Sequence, residues 1–455
     1  MNRFLFAALF LFLLPVGLLA QAVHYEPNWE ALDKRPTPSW FDDAKFGIYI
    51  FWGLYSVPAY ADPHSKIGQS YAEWYWNHMQ DKNGPTWAFH VAHYGANFKY
   101  QDFAPMFKAE MFDPQQWADL FVRSGARYVV LSTKHHSGFC LWPAPGSWNW
   151  NSVDLGPHRD LTGDLSRAVV VRGLRMGLYY SLYEWYNPVY LQDVPRYVSE
   201  HMMPQMKDLV ERYRPSILWT DGEWEQPSAD WRSAEFLSWL FNDSPVRDEI
   251  AVNDRWGKET RSKHGGFYTS EYQASVPEGE QLGSGHKWEE NQGIGRSFGY
   301  NRVETDDDYK SATALVHLLV NDVSQGGNLL LDIGPTADGL IPVIMQERLL
   351  QIGAWLKVNG EAIYGTHPWR QMAEGDVHFT SKGNAVYAIA EAWPGQELVL
   401  RAPRTTARTA VTFLGRNLTL KWRTGAGKLH IEAPPVTSAE IALPEAYVFK
   451  LIGVE

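Results

Sequence analysis

One cysteine, Cys140, is all the chain carries. No intramolecular disulfide can form from it, and no zinc site built on several thiolates is available. Basic residues are the minority charge: 41 Lys and Arg against 52 Asp and Glu leave a net charge of −11 over 455 residues. That argues against nucleic acid as the main partner, because neutralising phosphates needs a basic surface. No HExxH motif is present, and His90 and His93 stand three apart rather than the four of a zinc-binding helix. No glycine-rich phosphate fingerprint follows any strand-like run. These absences point to chemistry without metal or cofactor.

Long apolar runs are also scarce. The one that stands out, Phe4–Leu19, follows Arg3 and ends at Ala20-Gln21-Ala22. A charged start, a short apolar stretch and a small-x-small site are expected of a secretory signal peptide over 1–22. The run is short for a spanning helix of about 20 residues, although a membrane anchor is the alternative reading. The mature chain then starts near Val23 and is exported, to a periplasm or the extracellular space, with no membrane segment left after cleavage. Whether it forms a homo-oligomer stays open.

Aromatic residues are abundant: 21 Trp, 23 Tyr and 21 Phe. They fit either a large aromatic core or a cleft whose rings stack on sugars. With 45% hydrophobic and 20% charged residues, the chain has ample apolar surface to bury and is not disordered.

The pattern over 23–365 alternates strand and helix. Strands are predicted over Phe46–Trp52, Arg127–Thr133, Leu174–Leu182, Ser216–Thr220, Glu249–Asn253 and Asn328–Ile333, with weaker ones near Gly266–Ser270 and His286–Glu289. Asp113-Pro114 reads as a helix start and Gly125 as its end. Met345, Leu349, Ile352 and Leu356 recur at helical spacing. Eight strands with intervening helices predict an α/β fold, a distorted (β/α)8 barrel, with a doubly wound sheet as the alternative. Short β-type runs from 366 to 455 predict a C-terminal β-sandwich: Val386–Ala390, Glu397–Arg401, Ala410–Phe413, Leu418–Trp422, Lys428–Ile431 and Ala446–Leu451.

Chemistry in such barrels sits at the C-terminal ends of strands. There stand His135 and His136, then Asp221-Gly222-Glu223-Trp224-Glu225, then Asp254-Arg255-Trp256, with Glu271 and Glu289 after the two weak strands. Carboxylates, His, Arg and Trp gathered at one mouth suggest glycoside hydrolysis, where one carboxyl attacks or activates water and a second serves as acid. The bland readings are turn or cap residues for a lone Asp, and packed residues for the histidines.

Long motifs then carry a resemblance. Asp43-Ala44-Lys45-Phe46-Gly47-Ile48, Trp52-Gly53, Thr133-Lys134-His135-His136-x-Gly138-Phe139, Trp148-Asn149-Trp150-Asn151-Ser152 and Gly156-Pro157-His158-Arg159-Asp160-Leu161 resemble glycoside hydrolase family 29 α-L-fucosidases of the lysosomal type. So do Asp221-Gly222-Glu223-Trp224-Glu225 and Asn253-Asp254-Arg255-Trp256-Gly257. The resemblance runs from about Trp40 to the C-terminus. It implies a barrel followed by a β-sandwich, a fucosylated oligosaccharide or glycoconjugate as substrate, and a retaining exo-mechanism. It makes Asp221 the nucleophile. It leaves two acid/base candidates, Glu271 in Thr269-Ser270-Glu271-Tyr272, which is favoured, and Glu289 in Lys287-Trp288-Glu289. Glu290 is expected on the surface. Glu73, His135, His136, Tyr179, Trp219 and Arg255 are implied as sugar contacts, together with Phe51 and Trp52 at the end of the first strand.

At one position the chain departs from the family. Where its members typically read Ile-His-Trp-Gly, this chain has Ile50-Phe51-Trp52-Gly53. Phe51 can neither donate nor accept, and a buried hydroxyl left unpaired costs about 1–3 kcal/mol. A related sugar such as an α-L-galactoside, or a non-catalytic carbohydrate-binding role, are the alternatives to fucoside hydrolysis. Cys140 reads as a packed thiol.

Overall fold

The computed structural model describes residues 23–66, 70–273, 286–435 and 445–455. The expected signal peptide, 1–22, lies outside the described residues. Eight strands form the first sheet: β1 (Phe46–Ile50), β2 (Tyr128–Lys134), β3 (Arg175–Ser181), β4 (Ile217–Asp221), β5 (Ala251–Val252), β6 (Tyr268–Glu271), β7 (Trp288–Gly293) and β8 (Gly327–Ile333). Their order is β5-β4-β3-β2-β1-β8-β7-β6, and every neighbouring pair is parallel. The order follows the chain around a circle and opens between β5 and β6. There the regular ladder gives way to two backbone hydrogen bonds, Gly266 N to Asn253 O (3.1 Å) and Phe267 N to Val252 O (3.0 Å). The sheet is thus a TIM-like barrel, irregular at the two weakest strands.

Its strands read as continuous apolar runs because both faces are covered. Every residue of β1, β2, β4 and β8 is buried. The helices start and stop as their residues dictate. Asp113 accepts hydrogen bonds from the Gln115 and Gln116 amides ahead of the helix Pro114–Arg123, and Gly125 follows at φ +84°. The helix Val343–Asn359 buries Met345, Leu349, Ile352 and Leu356. Glu290 is a correction to the sequence reading: it is fully buried, because β7 is enclosed on both faces.

Nine strands follow: β9 (His367–Glu374), β10 (Val377–Lys382), β11 (Ala385–Ala390), β12 (Glu397–Leu400), β13 (Thr405–Phe413), β14 (Leu418–Thr419), β15 (Trp422–Gly425), β16 (Lys428–Glu432) and β17 (Tyr447–Val454). They form antiparallel sheets ordered β14-β13-β17-β11-β10-β9 and β12-β16-β15. Two of them, β9 and β10, are absent from the sequence reading, and the run expected over Leu418–Trp422 divides into β14 and β15. Leu398, Leu400, Leu429 and Ile431 from the small sheet share a core with Val386, Ala388, Val411 and Phe449 from the large one. The alternate residues of β11, Ala385, Tyr387 and Ile389, belong instead to the barrel's core. One strand therefore serves two cores, one on each face.

No helix among the described residues is long and apolar enough to cross a membrane.

Candidate active site

A cavity of about 220 Å³ opens at the C-terminal ends of the barrel strands. Its floor is buried and its rim is not. Phe51 follows β1, His135 and His136 follow β2, Trp219 and Asp221 end β4, and Arg255 follows β5; all are at most 8% exposed. Trp224, at 37%, and the side chains of Arg261, at 42%, and Glu271, at 30%, are the more exposed part of the lining.

Two donors hold Asp221, and a histidine stands beside it. Tyr179 donates its hydroxyl hydrogen to Oδ2 at 2.9 Å, Arg255 Nη1 donates to Oδ1 at 2.8 Å, and His136 Nε2 lies 3.7 Å from Oδ2. Burial pushes the Asp221 carboxyl up, but the Arg255 and Arg261 guanidiniums outweigh it and hold the group below the usual carboxylate range. The other terminal nitrogen of Arg255, Nη2, reaches Glu271 Oε2 at 3.2 Å, and Tyr71 donates to Glu271 Oε1 at 3.1 Å. The guanidinium is itself fixed. Its Nε donates to Thr269 Oγ1 at 3.0 Å, Thr269 donates to Asp254 Oδ1 at 2.8 Å, and Cζ sits 4.5 Å from the centre of the Trp219 ring. One arginine thus carries two cavity carboxylates.

Burial disfavours the charged form of both paired histidines. Burial pushes His136 down to about 4 despite the pull of Asp221, and burial with His136 beside it holds His135 well below its ordinary value. The hydrogen-bond network sets the tautomer of His136. Ser181 Oγ donates its only hydrogen to Tyr183 O at 2.8 Å, so at 2.7 Å from His136 Nδ1 it accepts. The Nε2 lone pair is left pointing toward Asp221 and the cavity. His135 Nδ1 is buried and makes no hydrogen bond with the protein. Glu73 also faces the cavity. Its Oε2 accepts from Gly299 N at 2.8 Å and Ser297 Oγ at 3.3 Å, and burial pushes its carboxyl up to about 8.

The two acid/base candidates occupy different places. Glu271 lines the cavity, whereas Glu289 does not. Glu289 is fully buried beneath Trp219, accepting from Trp219 Nε1 at 2.9 Å and from the Tyr128 hydroxyl at 2.5 Å, and burial pushes it up to about 7. Tyr179 stands behind the cavity wall, bonded to Asp221 and packed against Phe51 and Trp219. Trp52 is a correction. With Phe51 turned inward, Trp52 turns outward, where its ring packs 5.1 Å from each of Phe107, Phe112 and Trp117 and its indole donates to Thr336 O at 2.8 Å. Phe51 does line the cavity, against Tyr49, Phe298 and Tyr179 at 4.8, 5.1 and 5.3 Å.

Sequence reasoning misses Tyr49, Tyr71, Trp74, Arg261, Asn291 and Phe298, all of which line the cavity. The period of two along a strand reaches Asn291 from Glu289; Tyr71 and Trp74 flank Glu73. Arg261 and Phe298 lie in loops, where no period applies. Among the described residues no group of three or more His, Cys, Asp or Glu side chains is set to hold a metal ion.

Comparison with known proteins gives the family. Residues 13–361 match the family described as Alpha-L-fucosidase, and residues 370–452 match the Alpha-L-fucosidase C-terminal domain. Human tissue alpha-L-fucosidase is 47% identical over 447 residues, covering 95% of this chain and 92% of the human protein. An alpha-L-fucosidase of Branchiostoma floridae is 44% identical, covering 94% and 96%. The crystal structure of Thermotoga maritima alpha-fucosidase with a mechanism-based inhibitor superposes with a TM-score of 0.82 at 40% identity, covering 94% of this chain and 100% of that one. The same enzyme in complex with fucose gives 0.80 at 39% identity. The chain belongs to the α-L-fucosidase family, glycoside hydrolase family 29.

Proposed function

We propose that the chain is a retaining exo-α-L-fucosidase that removes terminal α-L-fucosyl residues from oligosaccharides or glycoconjugates. The observation that carries the assignment of roles is the Arg255 bridge between Asp221 and Glu271 inside one cavity. A retaining mechanism needs its carboxyl groups about 5–5.5 Å apart, and two carboxylates on one guanidinium accord with that spacing.

Asp221, kept ionised by Arg255, attacks the anomeric carbon while Glu271 gives its proton to the departing oxygen. The bond to the aglycone breaks and an ester to Asp221 forms. Glu271, now a carboxylate, takes a proton from water, whose oxygen attacks the anomeric carbon, breaks its bond to the Asp221 carboxylate and frees the sugar with its configuration retained. The neutral imidazole of His136 accepts a hydrogen bond from a sugar hydroxyl at Nε2, and protonated Glu73 can donate one. Phe51, Tyr49 and Phe298 supply the apolar wall for a C5 methyl group. Export by cleavage near residue 22, with units over 23–365 and 366–455, belongs to the same reading.

The test is release of nitrophenol from an aryl α-L-fucopyranoside by the mature chain, with Asp221→Gly as control. Turnover that falls by roughly 10³-fold or more in the variant and returns with azide is expected. An Asp221→Gly chain as active as the parent would sink the assignment.

A further inference from the structure

A second cavity, of about 680 Å³, lies at the opposite end of the barrel from the active site, where β7 and β8 begin and β9 sets out. Asp42, Lys287, Gly326 and His367 line it. Two lysines meet there on one carboxylate oxygen. Lys45 Nζ lies 2.9 Å and Lys287 Nζ 3.0 Å from Asp42 Oδ1. The Lys45 side chain is fully buried and that of Lys287 is 8% exposed. His367 Nδ1 stands 3.4 Å from the other oxygen, Oδ2.

The charges there do not balance. Among the described residues, Asp42 is the one carboxylate paired with either lysine. The other charged groups of the lining are engaged elsewhere: Asp33 with His264 at 2.8 Å, Lys34 with Glu30 at 3.3 Å, Arg35 over the Phe241 ring at 4.2 Å and Arg370 over the Trp369 ring at 4.9 Å. His286 donates from Nε2 to Gly266 O at 3.0 Å. Two ammonium groups on one carboxylate leave a positive charge in excess, in a chain whose net charge is −11. Burial, with Lys45 beside it, pushes Lys287 down to about 7, while the two lysines outweigh burial at Asp42 and hold it at about 2. An ammonium carries three N–H groups. Lys287 gives one to Asp42 and one to Gly326 O at 2.9 Å, and the third has no acceptor among the described residues. A buried charge in that position sheds its proton or takes a counter-ion.

We propose that this cavity is an anion site, in which Lys287 and His367, with the charge of Lys45 behind them, hold a doubly charged tetrahedral oxyanion of the sulfate or phosphate type, free or esterified to a sugar. Lys287 supplies its third N–H, and His367, whose side chain is 62% exposed, supplies an imidazole. The ion favours the protonated lysine, so near neutral pH it binds together with a proton. It bridges Lys287 at the start of β7 and His367 at the start of β9, and so ties the barrel to the C-terminal sheets.

Sulfate is the probe, because its own charge is constant around neutral pH. Titration calorimetry at pH 7.5 and fixed ionic strength, in two buffers of different ionisation enthalpy, is expected to show one saturable site with net proton uptake. Lys287→Met leaves Asp42 paired one to one with Lys45, and affinity should fall about tenfold or more, the worth of a hydrogen bond to a charged group. Glucose 6-sulfate that binds more tightly than sulfate would identify a sugar ester as the source, and weaker binding the free ion. No saturable heat from the parent, binding without proton uptake, or equal affinity in Lys287→Met overturns the site. Should the Met variant fail to fold, selenate soaked into crystals of the parent decides by anomalous scattering. A peak within hydrogen-bond reach of Lys287 Nζ supports the site, and the lack of one there overturns it.

Discussion

Tyr179 on β3 gives its hydroxyl hydrogen to Oδ2 of Asp221 at the end of β4, across neighbouring parallel strands paired Tyr179 with Trp219 and Ser181 with Asp221. The bond favours the ionised carboxylate, so Asp221 depends on Tyr179 as well as on Arg255 for its charge. Tyr179→Phe keeps the ring and removes the donor. The expected loss in kcat/KM is about tenfold, the worth of one hydrogen bond to a charged group. Removing a bond to the charged form raises the Asp221 pKa, so the acid limb of the kcat/KM profile should move to higher pH. A limb that stays in place would mean that Tyr179 only packs.

Glu271 and Glu289 should behave differently when truncated. Glu271→Ala is expected to lose roughly 10²–10⁴-fold on substrates with poor leaving groups and far less on activated aryl fucosides, where azide should restore turnover. Glu289→Ala leaves the Tyr128 hydroxyl and the Trp219 indole without their shared acceptor. That should appear as a drop in Tm of several degrees, without azide rescue. Rescue of the Glu289 variant would reverse the roles.

Phe51→His addresses the departure from the family's first-strand ending. The position is 5% exposed and lies 5.5 Å, ring to ring, from His135, whose Nδ1 has no protein partner. A donor and acceptor placed there is expected to raise kcat/KM on fucosides by about tenfold, one buried hydrogen bond's worth. A decrease would show that the apolar cluster with Tyr49 and Phe298 is itself the fit. Comparing aryl α-L-fucoside with aryl α-L-galactoside in both chains would then show which sugar the phenyl ring favours.

Glu73 should make stability depend on pH. Burial raises its carboxyl from 4.5 to about 8. Below about 4.5 the folded and unfolded chains both hold the proton. Between 4.5 and 8 only the folded chain does, so stability falls as pH rises through that window, at no more than about 1.4 kcal/mol per pH unit for one proton. Gln cannot titrate. The Tm of the parent, measured by calorimetry from pH 5 to 8, should therefore decline relative to that of Glu73→Gln. A constant gap across the series would mean that Glu73 is ionised in the folded chain.

The barrel was legible because burial on both faces writes its strands as unbroken apolar runs. Asp221, Arg255 and Glu271 were legible because barrel chemistry gathers at strand ends. Trp52 was misplaced for want of one fact, that Phe51 and not its neighbour turns inward. Glu290 was misplaced because charge on a short strand reads as surface, whereas β7 is wrapped on both sides. Strand β9 escaped notice because it is exposed or half-buried along its whole length and carries Pro368, so neither alternation nor apolar content marks it. Tyr71, Arg261 and Phe298 come to the cavity from outside the strands, where only the folded chain brings them together.

Strand β11 divides its side chains between two interiors, Ala385, Tyr387 and Ile389 on one face and Val386, Ala388 and Ala390 on the other. Neither half of the molecule owns that strand, and heat cannot release one without stripping a wall from the other. A scan of the intact chain should show a single transition, and a barrel cut off before residue 366 should expose a greasy face and precipitate, whatever its catalytic residues promise.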